Sequence, residues 1–358
     1  MDLKLRGFLY RRGASADEIR RAEQEGWLAL LTADRIVVPG RPRYDQAAVA
    51  EKADVDRELA DRVWRALGFP DPPEGLPVFS DRDANALRTL VQQVGSSRVV
   101  QLEDSRDVLV EQTRAVAAGL QRLAELFSDQ LAAAIELGRA SGMSDEELAI
   151  ELSEDVDWST LSRLIDYALR LQTRAALWRK LAQRDTGDEA GTPLTVGFLD
   201  LVGYTALSQT LDGPQLAQLI ARFEALTYDV VAARGGRVVK TIGDEVMFVA
   251  DEVTVGADIA LALVDAVVSD PLLPGARAGL ATGRVVAREG DYFGPTVNLA
   301  ARLVGMARNE AVLTSGDVHD ALADRRGLRW RRLRTGRVRD IGRVEVWRMR
   351  PGRNGDTP

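Results

Sequence analysis

The sequence predicts an α+β protein, with an all-α amino-terminal domain followed by a ferredoxin-like, antiparallel-sheet domain. Three observations carry this reading. Through residues 1 to 185 apolar residues recur at spacings of three and four, the period of amphipathic helices. Residues 186 to 193, Thr-Gly-Asp-Glu-Ala-Gly-Thr-Pro, are polar and rich in breakers, so the linker is placed there. From 194 to 350 the period changes to a β-α-β-β-α-β order, the ferredoxin-like plan with helices on one face of the sheet. Residues 351 to 358 are read as a flexible tail. At 358 residues the chain can bury two cores.

In the first domain Ser15, Ser80, Ser144 and Ser159 sit where helix caps are expected. Arg35-Ile-Val-Val-Pro39 is the exception, a short β-like piece before a Pro/Gly turn. Trp158 to Ala182 reads as one long helix leading into the linker, with Leu161, Leu164, Ile165, Ala168, Leu171, Ala175 and Trp178 along one side. Such a helix either carries a conformational signal or packs in its own domain's core. In the second domain Leu194 to Asp200 reads as a buried strand and Gly213 to Ala233 as an amphipathic helix. Gly236 to Lys240 and Val246 to Val249 form a hairpin turning at Ile242-Gly-Asp-Glu. A helix over Val255 to Val268 and a strand over Ala276 to Thr282 follow, with Glu310 to Thr314 and Val344 to Trp347 as added strands.

Composition narrows the chemistry. The chain has no cysteine, which excludes disulfides, thiolate catalysis and cysteine-bound metals. Its single histidine, His319, excludes histidine metal clusters and argues against a histidine base. Any metal must be held by oxygen, which favours magnesium or manganese. A formal charge of −7 argues against a nucleic-acid-binding surface. No run approaches the roughly 18 to 20 apolar residues of a membrane span, and Met1-Asp-Leu-Lys-Leu-Arg-Gly lacks an apolar signal core. A cytoplasmic protein without a transmembrane segment is expected.

The informative stretch is Lys240-Thr-Ile-Gly-Asp244-Glu-Val-Met-Phe248, flanked by Phe198-Leu-Asp200 and by Asp291-Tyr-Phe-Gly-Pro-Thr-Val-Asn298-Leu-Ala-Ala-Arg302. Asp200 ends an apolar strand and Asp244 occupies a hairpin turn, so both can project at one edge of the sheet. Their mutual repulsion is relieved by a divalent cation. Together they can hold two ions about 3.5 to 4 Å apart, the separation suited to in-line displacement at phosphorus. Alone, each is an ordinary turn aspartate.

With these three segments the chain resembles the class III adenylyl cyclases over roughly residues 190 to 350. The resemblance implies a metal-binding pair in Asp200 and Asp244, adenine selection by Lys240 and Asp291, and ribose and phosphate contacts from Asn298 and Arg302. The chemistry of each residue agrees. An ammonium donates to adenine N1 and a carboxylate accepts from the exocyclic amine, whereas guanine presents the opposite pattern. Asn298 and Arg302 lie four apart on a helix expected from Thr296, hence on one face, and an arginine fork matches phosphate oxygens. Leu201-Val-Gly203-Tyr204-Thr205 resembles the family's phosphate-holding turn at a helix start. Arg339 falls where the family often carries a late phosphate cation, among Arg331, Arg332, Arg334, Arg337 and Arg343.

The implied reaction is attack of the ATP ribose 3'-hydroxyl on the α-phosphorus with loss of pyrophosphate, assisted by two Mg2+ or Mn2+ ions. In the resembled family the metal aspartates of one domain work with the purine-selecting and transition-state residues of another. One chain carrying both sets implies a homodimer with two interface sites. The alternatives are a catalytically silent nucleotide-binding module and a guanylyl cyclase. The latter would replace Lys240 with an acidic residue and Asp291 with a small one.

Nothing in residues 1 to 185 reads as catalytic. Gln46 to Leu67 has a helix-turn-helix pattern, but Asp56, Glu58 and Asp61 on the would-be reading helix repel phosphate. This half resembles the helical amino-terminal domains of actinobacterial cyclases that inhibit the catalytic domain and respond to pH, although it contains no histidine. A regulatory role is expected, with an enclosed apolar ligand such as a lipid as a further reading.

Overall fold

Side-chain caps fix where the amino-terminal helices begin. The computed structural model describes residues 1–95, 105–184, 191–288, 290–333, 336–338 and 342–352, in two compact units, Met1–Ala176 and Leu177–Pro358. The described chain of the first unit is built from helices α1 (Leu3–Arg11), α2 (Ala16–Glu25), α3 (Leu28–Val37), α4 (Gln46–Ala53), α5 (Arg57–Ala66), α6 (Asp81–Gly95), α7 (Ser105–Ala140) and α8 (Asp145–Asp155). Helix α9 (Trp158–Arg184) continues past its end. Ser15 with Glu18 and Ser144 with Glu147 form reciprocal capping boxes at α2 and α8. Ser80 Oγ accepts from Arg82 N at 3.2 Å as α6 begins.

Two expectations are corrected here. Arg35-Ile-Val-Val is not β-like: the helix runs to Val37 because Ala29, Ala33 and Ile36 form one apolar stripe buried with Ile135 and Leu148. Arg35 adds ion pairs to Glu18 and Asp34, both 2.8 Å. Tertiary burial overrides the local preference of the β-branched residues, and Pro39 then bars continuation. Ser159 is not a cap but the second residue of α9. Asp157 caps it, accepting from Ser159 N at 3.0 Å and Thr160 N at 3.3 Å. Hydrogen bonds from the Ser159 and Thr160 side chains hold the Asp157 carboxyl down to about 2.

The first unit has separate apolar clusters. One joins α4, α5, α6 and the start of α7 through Val49, Val63 and Leu87. Others gather α1, α2, α3, α8 and the later part of α7 around Leu9, Ile19, Leu28 and Ile135. On α9, Leu164, Leu171 and Trp178 are exposed, so among the described residues its apolar side is not a core face beyond Ile165.

The second unit contains β1 (Thr192–Leu201), α10 (Tyr204–Ser208), α11 (Gly213–Ala233), β2 (Arg237–Ile242), β3 (Glu245–Ala250), α12 (Val253–Ser269), β4 (Ala276–Arg288), β5 (Asp291–Phe293), α13 (Pro295–Met306), β6 (Val312–Ser315), α14 (Gly316–Leu322), β7 (Leu328–Arg332), β8 (Gly336–Val338), β9 (Gly342–Val344) and β10 (Val346–Pro351). The main sheet runs β2-β3-β1-β4-β6-β10-β7, with β5 paired to β4. Its first four strands are the antiparallel ferredoxin-like core. Beyond them β6 lies parallel to β4, so the extended sheet is mixed.

Both faces of this sheet are covered. Leu199 and Leu201 pack with Phe223 of α11, Leu263 of α12 and Val318 of α14. Leu194, Val196 and Phe198 pack with Ala300, Leu303 and Val304 of α13. The helices on one face are those of the expected plan, and α13 is an addition on the other. It sits close because Gly279 has no side chain: a Cβ there would lie 2.3 Å from Val304 N and 2.5 Å from Ala300 O. Among the described residues no helix is long and apolar enough to cross a membrane.

Gly279→Ala is expected to destabilise the protein by about 1–3 kcal/mol through overpacking, because helix backbone rather than a side-chain tip blocks the added methyl. Chemical denaturation with native and variant chains compared at one temperature checks this. An unchanged midpoint would show that α13 can retreat without loss.

Candidate active site

The face of the sheet that carries α13 also carries the charged residues. Along β1, Leu194, Val196 and Phe198 point toward α13, and strand alternation puts Asp200 on that side. In register, Asp200 opposes Glu245 on β3 and Arg277 on β4. Asp244 occupies the tight β2–β3 turn, where Gly243 takes φ 62°. The turn is tied to β1 by Leu201 N donating to Asp244 O at 3.1 Å. Burial first, and then the charge of Asp200, push the Asp244 carboxyl above its ordinary range. Burial and the charges of Asp200 and Asp244 do the same to Glu245.

Arg277 moderates this acidic corner. Its Nε donates to Asp200 Oδ2 at 2.6 Å and its Nη1 to Ala307 O at 3.2 Å. Sequence reading missed both Arg277 and Glu245. A lone arginine inside the apolar strand Ala276-Arg-Ala-Gly-Leu-Ala was the available signal, but only strand register shows which acid it meets. Two aspartates this close suit a hard divalent cation, which offsets their repulsion. Among the described residues no group of three or more His, Cys, Asp and Glu is disposed to hold a metal, so backbone, water and substrate oxygens would complete the coordination.

Lys240 and Asp291 are brought together: Nζ donates to Oδ2 at 2.5 Å, with both side chains roughly a third exposed. Asp291 Oδ1 also accepts from Tyr292 N at 2.8 Å. Beside this pair, Arg237 donates to the Tyr292 hydroxyl at 2.9 Å. Neither Arg237 nor Tyr292 was singled out from sequence.

Asn298 and Arg302 lie on α13, whose buried positions are Thr296, Ala300, Leu303 and Val304. At 100° per residue both stand opposite that buried stripe, and both are exposed. They therefore share one face, turned away from their own sheet. Gly203, φ 85°, precedes Tyr204 and Thr205, the first residues of α10. Arg339 lies outside the described residues.

The chain belongs to the family defined by the adenylate and guanylate cyclase catalytic domain, which matches residues 188–349. It is similar to an adenylate cyclase of Streptomyces coelicolor, 36% identical over 79% of this chain and 72% of the relative. A pH-sensitive adenylate cyclase of Mycobacterium tuberculosis is 33% identical over 98% of this chain and 88% of its own length. Among solved structures, the adenylyl cyclase CyaB of P. aeruginosa is 22% identical, with a TM-score of 0.41 over 46% of this chain and 97% of that one.

Because the folded state raises the pKa of Asp244, it binds that proton more tightly than the unfolded chain does. Ionisation as pH rises through the folded pKa therefore costs stability. At neutral pH, Mn2+ or Mg2+ should raise the melting temperature, by an amount equivalent to about 2.7 kcal/mol at a hundred times the dissociation constant. Below the carboxylate range the increment should vanish. Asp244→Asn should melt higher than the native chain without metal and gain less from it. Scanning calorimetry at several pH values reads all of these, and an Asp244→Asn chain that gains as much from metal as the native chain would refute metal binding at Asp244.

Proposed function

We propose that this protein is a cytoplasmic adenylyl cyclase, converting ATP to 3',5'-cyclic AMP and pyrophosphate. The observation that carries the reading is the Lys240–Asp291 pair, standing on the same sheet face as Asp200. An ammonium and a carboxylate side by side match adenine's N1 acceptor and exocyclic amine donor. Guanine would place its carbonyl against Asp291 and its N–H against Lys240. The membership in a cyclase family and the adenylate cyclases among the relatives support the choice.

Two divalent cations, Mg2+ or Mn2+, bound through Asp200 and Asp244 would supply neutralisation of the triphosphate and a lowered pKa for the ribose 3'-hydroxyl. The 3'-oxygen attacks the α-phosphorus, a P–O bond forms, and the bond to the pyrophosphate oxygen breaks. Asn298 orients the ribose, and the guanidinium of Arg302 meets the charge that develops on the transferring phosphate. Backbone N–H groups at Gly203, Tyr204 and Thr205 suit the terminal phosphates. We assign Arg339 to the same phosphates from its sequence position. Glu245 and Arg277 flank the acidic corner, and the hydrogen bond from Arg277 holds the Asp200 carboxylate in place.

The assembly we propose is a homodimer with two sites at its interface. The outward turn of Asn298 and Arg302, away from their own sheet, supports it. Residues 1 to 185 would restrain the cyclase. Supporting a small-molecule or lipid effector, α3, α7 and α9 line an open-sided pocket of about 500 Å³ with Leu30, Val37, Leu123, Phe127, Ile135 and Trp158 among others. Its size and apolar lining suit an acyl chain or similar ligand.

Purified full-length protein with ATP and Mn2+ should form cyclic AMP. ATP binding without product would favour a silent nucleotide-binding module. Arg302→Ala should lower kcat by about a hundredfold or more, with ATP binding retained. Asp200→Ala mixed with Asn298→Ala should regain activity at the one intact site of the heterodimer, and verified heterodimers with no activity would sink the shared-site arrangement. Residues 186 to 358 alone should differ from the full chain in activity between pH 5 and 8; identical profiles would count against restraint by the amino-terminal half.

A further inference from the structure

Residues on a regular strand alternate between faces, so positions three apart look opposite ways. Arg237 and Lys240 are three apart on β2, yet they contact consecutive residues, Tyr292 and Asp291, of the same short strand β5. The register explains this. Arg237 opposes Val249 and Val238 opposes Phe248, but Lys240 opposes Met247, the very next residue of β3. Val239 is thus the extra residue of a β-bulge, and Val239 and Lys240 together face Met247.

The facing residues identify the sides. Val249 and Met247 belong to the α13 side, and Phe248 to the side of α11 and α12. Val239 packs on the α13 side and Val238 on the other. Without the bulge Lys240 would follow Val238 to the α11 side, where Thr241 now donates to Glu224 of α11 at 3.0 Å. The bulge therefore delivers Lys240 to the face where Asp291 stands.

Asp291 has its own difficulty. β5 is bonded to the end of β4, and β4 is separated from β2 by β1 and β3. Three strand spacings amount to about 14 Å, so the β4–β5 hairpin must arch over the α13 face to bring Asp291 to Lys240. A three-residue strand with few bonds of its own needs an anchor at the far end. Arg237 provides one twice over: its guanidinium donates to the Tyr292 hydroxyl at 2.9 Å and lies over the ring, 5.5 Å from its centroid. The backbone N–H of the same tyrosine fixes Asp291 Oδ1.

The geometry points to Arg237 and Tyr292 as positioning residues for base discrimination: enabled by the Val239 bulge, they clamp β5 across the sheet so that Lys240 and Asp291 are spaced for adenine. This rests on the ATP reading above. Neither residue is given a role in the chemical step.

The test uses the full-length protein with ATP and GTP as alternative substrates and Mn2+ present, comparing native, Tyr292→Phe, Arg237→Gln and Lys240→Met chains. The ATP:GTP ratio of kcat/KM does not depend on how much of a preparation is folded, so partial unfolding cannot mimic the effect. Tyr292→Phe, which keeps the ring and loses one hydrogen bond from a charged donor, should lower the ratio about fivefold or more. The change should appear in KM for ATP, with kcat within about twofold. Lys240→Met should lower the ratio further, and adding Tyr292→Phe to it should change little, since the clamp then has nothing to position. Native-like ratios in both Tyr292→Phe and Arg237→Gln, with the ratio lost in Lys240→Met, would overturn the clamp and leave the ATP reading standing. A native chain with no preference for ATP, unaltered by Lys240→Met, would overturn the ATP reading itself and the clamp with it.

Discussion

β1 is buried on both of its faces, and this constraint organises the second unit. Leu194, Val196 and Phe198 on one side and Leu199 and Leu201 on the other all require cover. Helices α11 and α12 meet the second demand and α13 the first. A charge anywhere along the middle of this strand would be buried between two apolar layers at heavy cost. The aspartate therefore stands near the end of the strand, where solvent and the β2–β3 turn begin, and that position decides where chemistry can occur on the sheet.

Charge balance follows from the same arrangement. Asp200, Asp244 and Glu245 crowd one corner, with Arg277 as the cation bonded to Asp200. A short distance along the same face Lys240 and Asp291 satisfy each other. In the proposed reaction an entering base would part them, exchanging an ion pair at a partly exposed site for two hydrogen bonds, an exchange that is close to balanced because exposed ion pairs are weak. The pair is thus held ready without being locked. Asn298 and Arg302 look outward on the far side of α13, which is why a second copy enters the proposed chemistry.

The first unit solves a different problem, burying many short helices with little sheet to organise them. Its cores are several and small, and tertiary contact overrules local preference in places. Arg35-Ile-Val-Val reads as extended by composition and is helical because Ile36 completes a buried stripe with Ala29 and Ala33. At α9 a serine looked like the cap and an aspartate two residues earlier performs it, since its carboxylate accepts from two backbone N–H groups at once.

The helical first half, the β-α-β-β-α-β order and the two-residue turn holding Asp244 were legible in the sequence, because local period and turn chemistry specify them. The sequence also marked Asp200, Lys240, Asp291, Asn298 and Arg302 as residues to follow. The apolar run Leu194 to Leu199 even hinted at a strand covered on both sides, though not by which helix. The rest came from contacts between segments distant along the chain. That Arg277 and Glu245 flank Asp200 depends on register between strands far apart in sequence. That Lys240 faces Asp291 depends on one extra residue at Val239, and a bulge leaves no mark in the pattern of a short strand. A period of two predicts that Arg237 and Lys240 point apart; the fold, by interrupting that period once, places them side by side.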